Sequence, residues 1–250
     1  MKRNLISFEE VSFAYGEKLI LDKLSFTIEE GSFVSIVGRS GSGKTTLLKL
    51  IAGILQPTNG RIIVNGCSLN YFNQKQWHDY RLNMGYVFQQ GALFTDLTVK
   101  ENVAFMLHEY TQLSRDEIDS TVYEQLEQVG LAHNGDAMPI ELSGGMIKRV
   151  ALARAIVLRP RLVLYDEPFS GLDPITLKKI AELIFTVQQR IQTTSLMVTH
   201  EIRQSLRISN QVILLEDKRI IFCGTPHEIH GCDTPAAVSY THLTLPTSDL

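Results

Sequence analysis

A glycine-rich loop, GRSGSGKTT at residues 38–46, lies between two apolar segments and limits the folds open to this chain. The preceding FVSIV at 33–37 is short, β-branched and uncharged, which predicts a buried strand. The following LLKLIA at 47–52 has helical spacing and stops at Gly53, which predicts a helix. Strand, loop and helix in this order are the context that the phosphate-binding motif G-x-x-x-x-G-K-[ST] requires.

The residue types in this loop suit a phosphate ligand. Its glycines lack a Cβ, so backbone N–H groups can converge on phosphate oxygens, and the following helix directs its positive dipole end at the same anion. Lys44 would add a full charge near the β- and γ-phosphates, and the Thr45 hydroxyl would ligate Mg²⁺. The candidate nucleotide-binding residues of the loop are Gly38, Arg39, Ser40, Gly41, Ser42, Gly43, Lys44, Thr45 and Thr46.

Length, composition and charge narrow the remaining possibilities. With 250 residues, 44% of them hydrophobic and 20% charged, the chain can bury an ordinary globular core in one or two domains. Its net charge of −3 gives no global basic field, so we expect no nucleic-acid partner. The cysteines, Cys67, Cys223 and Cys232, have neither zinc nor disulfide spacing, which fits a reducing compartment. We find no signal-peptide pattern and no apolar run near the ~18 residues of a spanning helix.

Polar side chains follow several other short apolar segments. Gln89, Asp166 and His200 each come directly after a predicted strand, and Glu167 follows Asp166. Ligands bind at the carboxyl ends of strands in a parallel sheet, so their shared position favours a common site. Asp166 would serve Mg²⁺, and Glu167 would polarise an attacking water. For any one of these residues alone, a solvated strand end is the usual interpretation.

The region from about 97 to 159 has helical character. Thr98 with Glu101, and Ser114 with Glu117, form the capping-box pattern that predicts a helix start. Each is followed by an amphipathic segment.

A third helix is predicted to begin at Ser143, which has the residue type of an N-cap. Gly144 and Gly145 follow it, although two glycines in the first turn cost roughly 1 kcal/mol each relative to alanine. Close approach of the backbone to a second phosphate would explain them, and an ordinary capped surface helix is the alternative.

The first thirty residues predict two antiparallel strands joined at Tyr15-Gly-Glu. Tyr15, beside this turn, would either stack on a nucleotide base or simply pack against the turn.

Taken together, these segments resemble the nucleotide-binding subunits of ABC transporters, from about residue 5 to 228 and in the family's order. The matching motifs are Walker A (38–45), the Q-loop (Gln89), the signature LSGGM (142–146), Walker B (162–166) with the catalytic glutamate (Glu167), the D-loop SGLD (170–173), the H-loop (His200) and the aromatic A-loop (Tyr15). The resemblance implies an α/β fold, the P-loop NTPase fold of an ABC nucleotide-binding domain. Such a domain, here at 5–230, has a RecA-like core, an antiparallel β subdomain and an inserted α-helical subdomain at about 92–158.

The resemblance also implies a mechanism. Two such domains meet head to tail as a homodimer, and ATP lies between the Walker A loop of one and the signature motif of the other. The implied roles are nucleotide contacts by Tyr15, the loop residues 38–46, Ser143, Gly144, Gly145 and Asp173; catalysis by Glu167, His200 and Gln89; and Mg²⁺ ligation by Thr45, Gln89 and Asp166.

Three features of the sequence, two of them departures from the commonest family pattern, suggest a narrower resemblance. Met146 and Phe169 replace the usual Gln and Thr, and QGALFTDLTV at 90–99 follows the Q-loop. These features are similar to the ATPase of Mla-type (MCE-associated) phospholipid-trafficking transporters of Gram-negative bacteria. That resemblance implies membrane permease subunits, an MCE-domain protein, a small STAS-domain protein and a peripheral position on the cytoplasmic face of the inner membrane. The apolar segment 92–94 would line a groove for a permease helix or belong to the subdomain core.

Other classes stay open at this point. An ABC transporter for another cargo fits the same motifs. Soluble ABC ATPases of DNA repair, translation or Fe–S assembly usually carry tandem cassettes, a coiled-coil insertion or zinc cysteines, and this sequence has none of them. A P-loop kinase for small molecules would explain neither the signature segment nor His200. The segment 237–250 follows no family pattern and resembles a translated sequencing-library adapter, so we expect it to be non-native.

Overall fold

The computed structural model describes residues 3–229, which form two compact units. The first unit holds the described residues up to Asp79 and from Thr194 onward, and the second is Tyr80–Thr193. The second unit contains the whole helical subdomain predicted at about 92–158, although the predicted domain limits themselves stay a prediction. Residue 230, the predicted end of the domain, lies outside the described part of the chain. So does the segment 237–250, which we expect to be non-native.

Ten strands and eight α-helices lie along the described residues. The strands are β1 (Asn4–Tyr15), β2 (Lys18–Glu29), β3 (Phe33–Val37), β4 (Asn59–Val64), β5 (Cys67–Ser68), β6 (Met84–Val87), β7 (Leu162–Asp166), β8 (Thr194–Thr199), β9 (Gln211–Glu216) and β10 (Arg219–Gly224). The helices are α1 (Lys44–Ile51), α2 (Gln74–Leu82), α3 (Val99–Tyr110), α4 (Arg115–Gln128), α5 (Gly144–Ile156), α6 (Pro174–Ile191), α7 (Ile202–Ile208) and α8 (Pro226–Ile229).

The first unit contains an antiparallel sheet with the strand order β2-β1-β4-β5. Tyr15 pairs with Lys18 across the turn, so the predicted N-terminal hairpin is confirmed. Alternate side chains of β2 are buried from Leu24 to Ile28, and Phe26 of this strand stacks on Phe8 of β1 with ring centroids 4.4 Å apart. This stacking belongs to the apolar face that the alternation predicts.

The first unit also contains strands in the order β10-β9-β3-β8, with β3 parallel to both of its neighbours. All five residues of β3 and all six of β8 are buried, as expected for parallel strands covered on both faces. Val37 pairs with Thr199 and with Leu214. The loop that follows β3 and the one that follows β8 therefore begin at the same edge.

The second unit holds the parallel pair β6 and β7, in which Val87 pairs with Tyr165. Helices α3, α4 and α5 pack against one another in the same unit. Both predicted capping boxes are confirmed: the Thr98 and Ser114 hydroxyls accept hydrogen bonds from the backbone N–H groups of Glu101 and Glu117. The helical character predicted for this region is thus confirmed.

Some details differ from the sequence expectation. Helix α1 begins at Lys44, three residues before the predicted apolar segment, because the lysine and two threonines of the loop form its first turn. The short helices α7 and α8 were not predicted, since seven and four residues give too few turns for a recognisable apolar period. Across residues 3–229, none of the helices has the length and apolar character needed to cross a membrane.

Candidate functional site

The glycine-rich loop of the first unit is fixed by close packing. A Cβ on Gly38 would lie 2.3 Å from the Leu215 carbonyl oxygen, so no side chain fits there. Gly43, the N-cap of α1, has φ 101°, and its Cβ would lie 2.7 Å from Leu21 Cδ2. The loop therefore needs glycine at both ends, which agrees with the spacing of the motif.

Lys44 folds back across the loop that precedes it. Its Nζ donates hydrogen bonds to the carbonyl oxygens of Gly38 and Arg39, at 2.9 and 3.0 Å, and the side chain is buried. The ammonium group is thus held beside the backbone of the loop rather than in bulk water. A buried cation is costly unless negative charge approaches it, so this position favours an anionic ligand.

The rest of the loop fits a phosphate group. The Ser42 hydroxyl oxygen is buried and has no hydrogen-bond partner among the described residues. Helix α1 directs its N-terminus at the loop, and Thr45 and Thr46 lie in its first turn. An orphaned hydroxyl, a held ammonium group and a helix N-terminus at one loop together provide what a phosphate needs.

The remaining loop residues are exposed, and Arg39 has a partner of its own. The Arg39 Nε lies 3.5 Å from a carboxylate oxygen of Glu216, the last residue of β9 in the same unit. Ser40 and Gly41 are also exposed. The sequence predicted nucleotide contacts for all three, and those contacts stay a prediction.

The first unit places His200 and Tyr15 at accessible positions. Because Thr199 pairs with Val37, His200 follows β8 at the edge where the phosphate loop follows β3. Its Nε2 lies 3.8 Å from Glu201 Oε1, and about half of the side chain is exposed. Tyr15 is 50% exposed, and its ring contacts Phe13 edge-on at 4.8 Å. An exposed ring with a fixed neighbour suits stacking on a base, although that role stays a prediction.

The second unit brings Gln89, Asp166 and Glu167 to one edge of β6 and β7, as the parallel register requires. Asp166 is buried, and its Oδ2 accepts a hydrogen bond from the Tyr86 hydroxyl at 3.3 Å. Burial and the neighbouring Asp166 charge raise the pKa of Tyr86, so its hydroxyl stays protonated and donates. The aspartate is therefore held in one orientation at the end of the strand.

Glu167 has a left-handed backbone, with φ 46°, directly before Pro168. Residues that precede proline favour extended conformations, and a left-handed non-glycine residue costs roughly 1–3 kcal/mol. Such strain persists where the surrounding structure fixes it, and it concentrates at functional sites. The conformation supports the sequence prediction that Glu167 is functional.

Gln89 is held at both its backbone and its side chain. Its side-chain amide nitrogen donates a hydrogen bond to the Ser170 hydroxyl at 3.2 Å, and its backbone carbonyl oxygen accepts one from Lys148 Nζ. Sequence analysis missed Lys148. The available signal was a lysine at helical spacing from Ala151 and Leu152, which are buried on the core face of α5.

The signature helix α5 begins as predicted. The Ser143 hydroxyl accepts a hydrogen bond from the Met146 backbone N–H at 3.3 Å. A Cβ on Gly144 would meet open space, whereas one on Gly145 would lie 2.8 Å from Thr176 Cγ2 at the start of α6. Packing thus explains Gly145, and Gly144 stays available for close approach by a ligand.

Asp173 caps the next helix. Its Oδ1 accepts hydrogen bonds from the backbone N–H groups of Ile175 and Thr176, both at 3.0 Å. The hydrogen bonds from Thr176 hold the pKa of Asp173 below its ordinary value. This residue has a structural role in addition to the nucleotide contact predicted for it.

The predicted Mg²⁺ ligands supply the right chemistry. Thr45, Gln89 and Asp166 offer hydroxyl, amide and carboxylate oxygens, and Mg²⁺ prefers oxygen ligands from few side chains together with phosphate oxygens. Thr45 belongs to the first unit and the other two to the second.

An apolar groove of about 320 Å³ opens on the second unit. Phe94, which is 40% exposed, packs against Phe105 with ring centroids 4.7 Å apart, and the Arg154 guanidinium lies 5.6 Å from the Phe94 ring centre. Ala92 and Phe94 line this groove, and the predicted binding of a permease helix there stays a prediction. Its other lining residues include Leu82, Met84, Tyr86, Phe88, Met106 and Leu158.

Comparisons with known proteins agree with these features. Residues 21–170 match the ABC transporter family. The intermembrane phospholipid transport system ATP-binding protein MlaF of Haemophilus influenzae is 41% identical over 229 residues, which cover 92% of this chain and 87% of that protein.

Two solved structures have the same fold. The structure of cbiO1 from Clostridium perfringens, part of the ABC transporter complex cbiONQ, aligns with a TM-score of 0.84 and 30% identity, covering 97% of this chain and 96% of that one. The ATP-binding cassette MJ0796, a dimer in a post-hydrolysis state with ADP and Pi, aligns with a TM-score of 0.79 and 32% identity, covering 88% and 98%. The predicted fold class is therefore confirmed, and the chain belongs to the ABC transporter family as an ATP-binding and ATP-hydrolysing subunit.

Proposed function

We propose that this ATPase powers the movement of phospholipids between bacterial membranes, from a peripheral position on the cytoplasmic face of the inner membrane. The observation that carries the proposal is the 41% identity to MlaF, a phospholipid transport ATP-binding protein, over nine-tenths of the chain. Two unusual residues support it: Met146 of the signature segment lies in the first turn of α5, and Phe169, which directly precedes the D-loop, is fully buried.

In this proposal, the loop residues 38–46 bind the phosphates of ATP, and Tyr15 stacks on the adenine. The packed glycines, the held Lys44 and the orphaned Ser42 hydroxyl support the phosphate contacts. Thr45, Gln89 and Asp166 would hold Mg²⁺. When bound, the ion would neutralise charge on the β- and γ-phosphate oxygens.

Hydrolysis requires a base and a group that stabilises the transferred phosphoryl. The Glu167 carboxylate would accept a proton from the attacking water, or orient that water toward the γ-phosphate. The strained backbone of Glu167 and the restrained orientation of Asp166 support a preorganised arrangement. His200 would donate a hydrogen bond to the γ-phosphate, which is consistent with its exposed side chain at the strand edge of the phosphate loop.

The chain carries one phosphate loop and one signature segment, so we propose that two copies act together. Ser143, Gly144 and Gly145 of one copy would contact the γ-phosphate bound by the other, with Asp173 nearby at the D-loop. The open space at Gly144 supports close approach by a ligand. The dimeric post-hydrolysis cassette MJ0796 supports this two-copy arrangement by analogy.

We propose that the apolar groove on the second unit receives a helix of the membrane permease. Exposed aromatic side chains on a groove of this size fit an amphipathic helix with apolar anchors. An MCE-domain protein and a STAS-domain protein would complete the transporter. The likeness to MlaF and the Mla-type features of the sequence support the proposal of these partners.

Affinity purification of the tagged chain from its native membranes would test the proposal. We expect recovery of a permease, an MCE-domain protein and bound phospholipid, as identified by mass spectrometry. The matched control is the same chain with Phe94→Ala and Phe105→Ala, which removes two groove anchors and is expected to lose the permease. A permease without an MCE-domain protein would assign the ATPase to another cargo. Recovery of no membrane partner would contradict the transport role and favour a soluble ABC ATPase.

A further inference from the structure

The loop after β6, residues 89–92, is held to helix α5 by cationic side chains. Lys148 Nζ donates to the Gln89 carbonyl oxygen, and Arg154 donates to the carbonyl oxygens of Gly91 and Ala92, both at 2.9 Å. The backbone also lies directly on the helix, since a Cβ on Gly91 would come within 2.6 Å of Ile147 Cγ2. The position of this loop therefore depends on α5.

Lys148 is the member of this pair that acts on Gln89 itself. Its side chain is only 7% exposed, which is unusual for lysine because burying an ammonium group costs free energy. Burial lowers the pKa of Lys148, and the negative charges of Glu167 and Asp166 oppose that change. Lys148 is thus a buried cation that donates to the Q-loop backbone.

The other end of Gln89 is held as well. Its amide nitrogen donates to Ser170, which lies in the D-loop, so the residue is fixed at its backbone by α5 and at its side chain by a second loop. One restraint fixes the backbone of Gln89, and the other directs its side-chain amide toward Ser170. Such restraint is what a residue needs when its amide oxygen must meet a ligand in one geometry.

We infer that Lys148 is a positioning residue for ATP hydrolysis, which fixes Gln89 by tying the Q-loop backbone to the signature helix. The inference rests on the role proposed above for Gln89. Lys148 touches no reacting atom in this scheme. Its buried ammonium group fixes where Gln89 lies relative to α5, which is the signature helix capped by Ser143.

A double-mutant cycle with Lys148→Met and Gln89→Ala tests this inference in the full chain co-purified with its membrane partners. Methionine keeps the length and apolar stem of lysine and removes the donor. We expect Lys148→Met to lower kcat roughly 10- to 100-fold, as displacement of a positioned group does, with KM for ATP changed less than about twofold. In the Gln89→Ala background the same substitution is expected to change kcat less than about twofold, because its effect passes through Gln89.

Further variants separate positioning from folding. Lys148→Arg keeps a donor and is expected to restore most of the lost kcat. Lys178→Met removes an exposed lysine of α6 whose Nζ lies 3.9 Å from Glu182 Oε1. This variant is expected to leave kcat and KM unchanged. Thermal unfolding of each variant identifies any that fails to fold. Should Lys148→Met unfold, Lys148→Gln keeps a shorter polar group, and the same cycle applies to it.

The outcomes distinguish this inference from the proposed function. Equal losses of kcat from Lys148→Met in both backgrounds would show that Lys148 acts independently of Gln89 and would overturn the inference alone. Full activity of Lys148→Met would overturn it equally. Full activity of Gln89→Ala would contradict the catalytic role proposed for Gln89, and with it the reason for positioning that residue.

Discussion

Thr199 pairs with Val37 in the parallel register of β8 and β3, so that His200 and Gly38 leave the sheet at the same edge. One pairing thus fixes the strand ends that precede the phosphate loop and the H-loop. Both strands are fully buried, and a slip by one residue would turn buried side chains to the opposite face. The relative position of these two loops is therefore set by the core and not by the loops themselves.

Lys44→Met is expected to weaken ATP binding. The substitution removes a buried ammonium group that donates to the Gly38 and Arg39 carbonyl oxygens. Loss of a charged hydrogen-bond donor to phosphate costs about 1.5–3 kcal/mol, which corresponds to roughly a 10- to 100-fold higher Kd. Titration with a fluorescent ATP analogue measures the change. The control is Lys49→Met in the last turn of the same helix, and equal losses in both variants would contradict a phosphate role for Lys44.

Gly145→Ala is expected to destabilise the protein, and Gly144→Ala is not. The new Cβ at 145 would lie 2.8 Å from Thr176 Cγ2, while the one at 144 meets open space in the first turn of α5. We expect a loss of about 1–3 kcal/mol in the free energy of unfolding for the first variant. For the second we expect a gain of up to about 1 kcal/mol. Urea denaturation measures both.

Thr176→Ser provides the rescue for this pair. It removes the methyl group in the clash and keeps the hydroxyl, so Gly145→Ala is expected to regain much of its stability in that background. Absence of any rescue would show that the clash with Thr176 is not the cause.

Sequence patterns predicted much of the fold because its buried strands and capped helices obey local rules. FVSIV before the loop and the capping boxes at Thr98 and Ser114 need no tertiary information. The site was predicted from the spacing of motifs whose residues follow predicted strands. The contacts of Lys148 and the packing of Gly145 against Thr176 were beyond prediction, since they join α5 to segments distant in the chain. The strain at Glu167 was equally hidden, because a residue before proline predicts extended backbone.

Asp173 is expected to make stability depend on pH in the acid range. Hydrogen bonds from Thr176 lower the pKa of Asp173 from its ordinary value of 3.8. A lowered pKa in the folded state means that the stabilisation is complete above the unfolded value and is lost as pH falls through the folded value. The Tm difference between the wild type and Asp173→Asn should therefore be constant from about pH 5 to about pH 7. It should shrink below about pH 4. A difference that does not change with pH would argue against a charged cap.

Glu167→Gly is expected to be more stable than Glu167→Ala. Both remove the carboxylate, but glycine adopts the left-handed φ of 46° without the steric penalty that a Cβ brings. The left-handed penalty of about 1–2 kcal/mol exceeds the roughly 0.5–1 kcal/mol that glycine loses through greater chain entropy. Chemical denaturation of the two variants gives the difference directly. A more stable alanine variant would mean that the backbone at 167 relaxes on substitution and stores no strain.

Glu167→Gln is expected to trap the ATP-bound dimer. Glutamine keeps the shape of glutamate and removes the base that we propose for the attacking water, so ATP binds and is not hydrolysed. Two copies that close on ATP would then stay together, since release follows hydrolysis. Size-exclusion chromatography with Mg·ATP should show a dimer for this variant and mainly monomer for the wild type after turnover. Glu182→Gln, an exposed glutamate on α6, is the matched control. A purely monomeric Glu167→Gln protein would contradict either the two-copy arrangement or the role of Glu167, and bound radiolabelled ATP would distinguish them. Retained, unhydrolysed nucleotide on a monomer excludes the dimer, while hydrolysed nucleotide excludes Glu167 as the base.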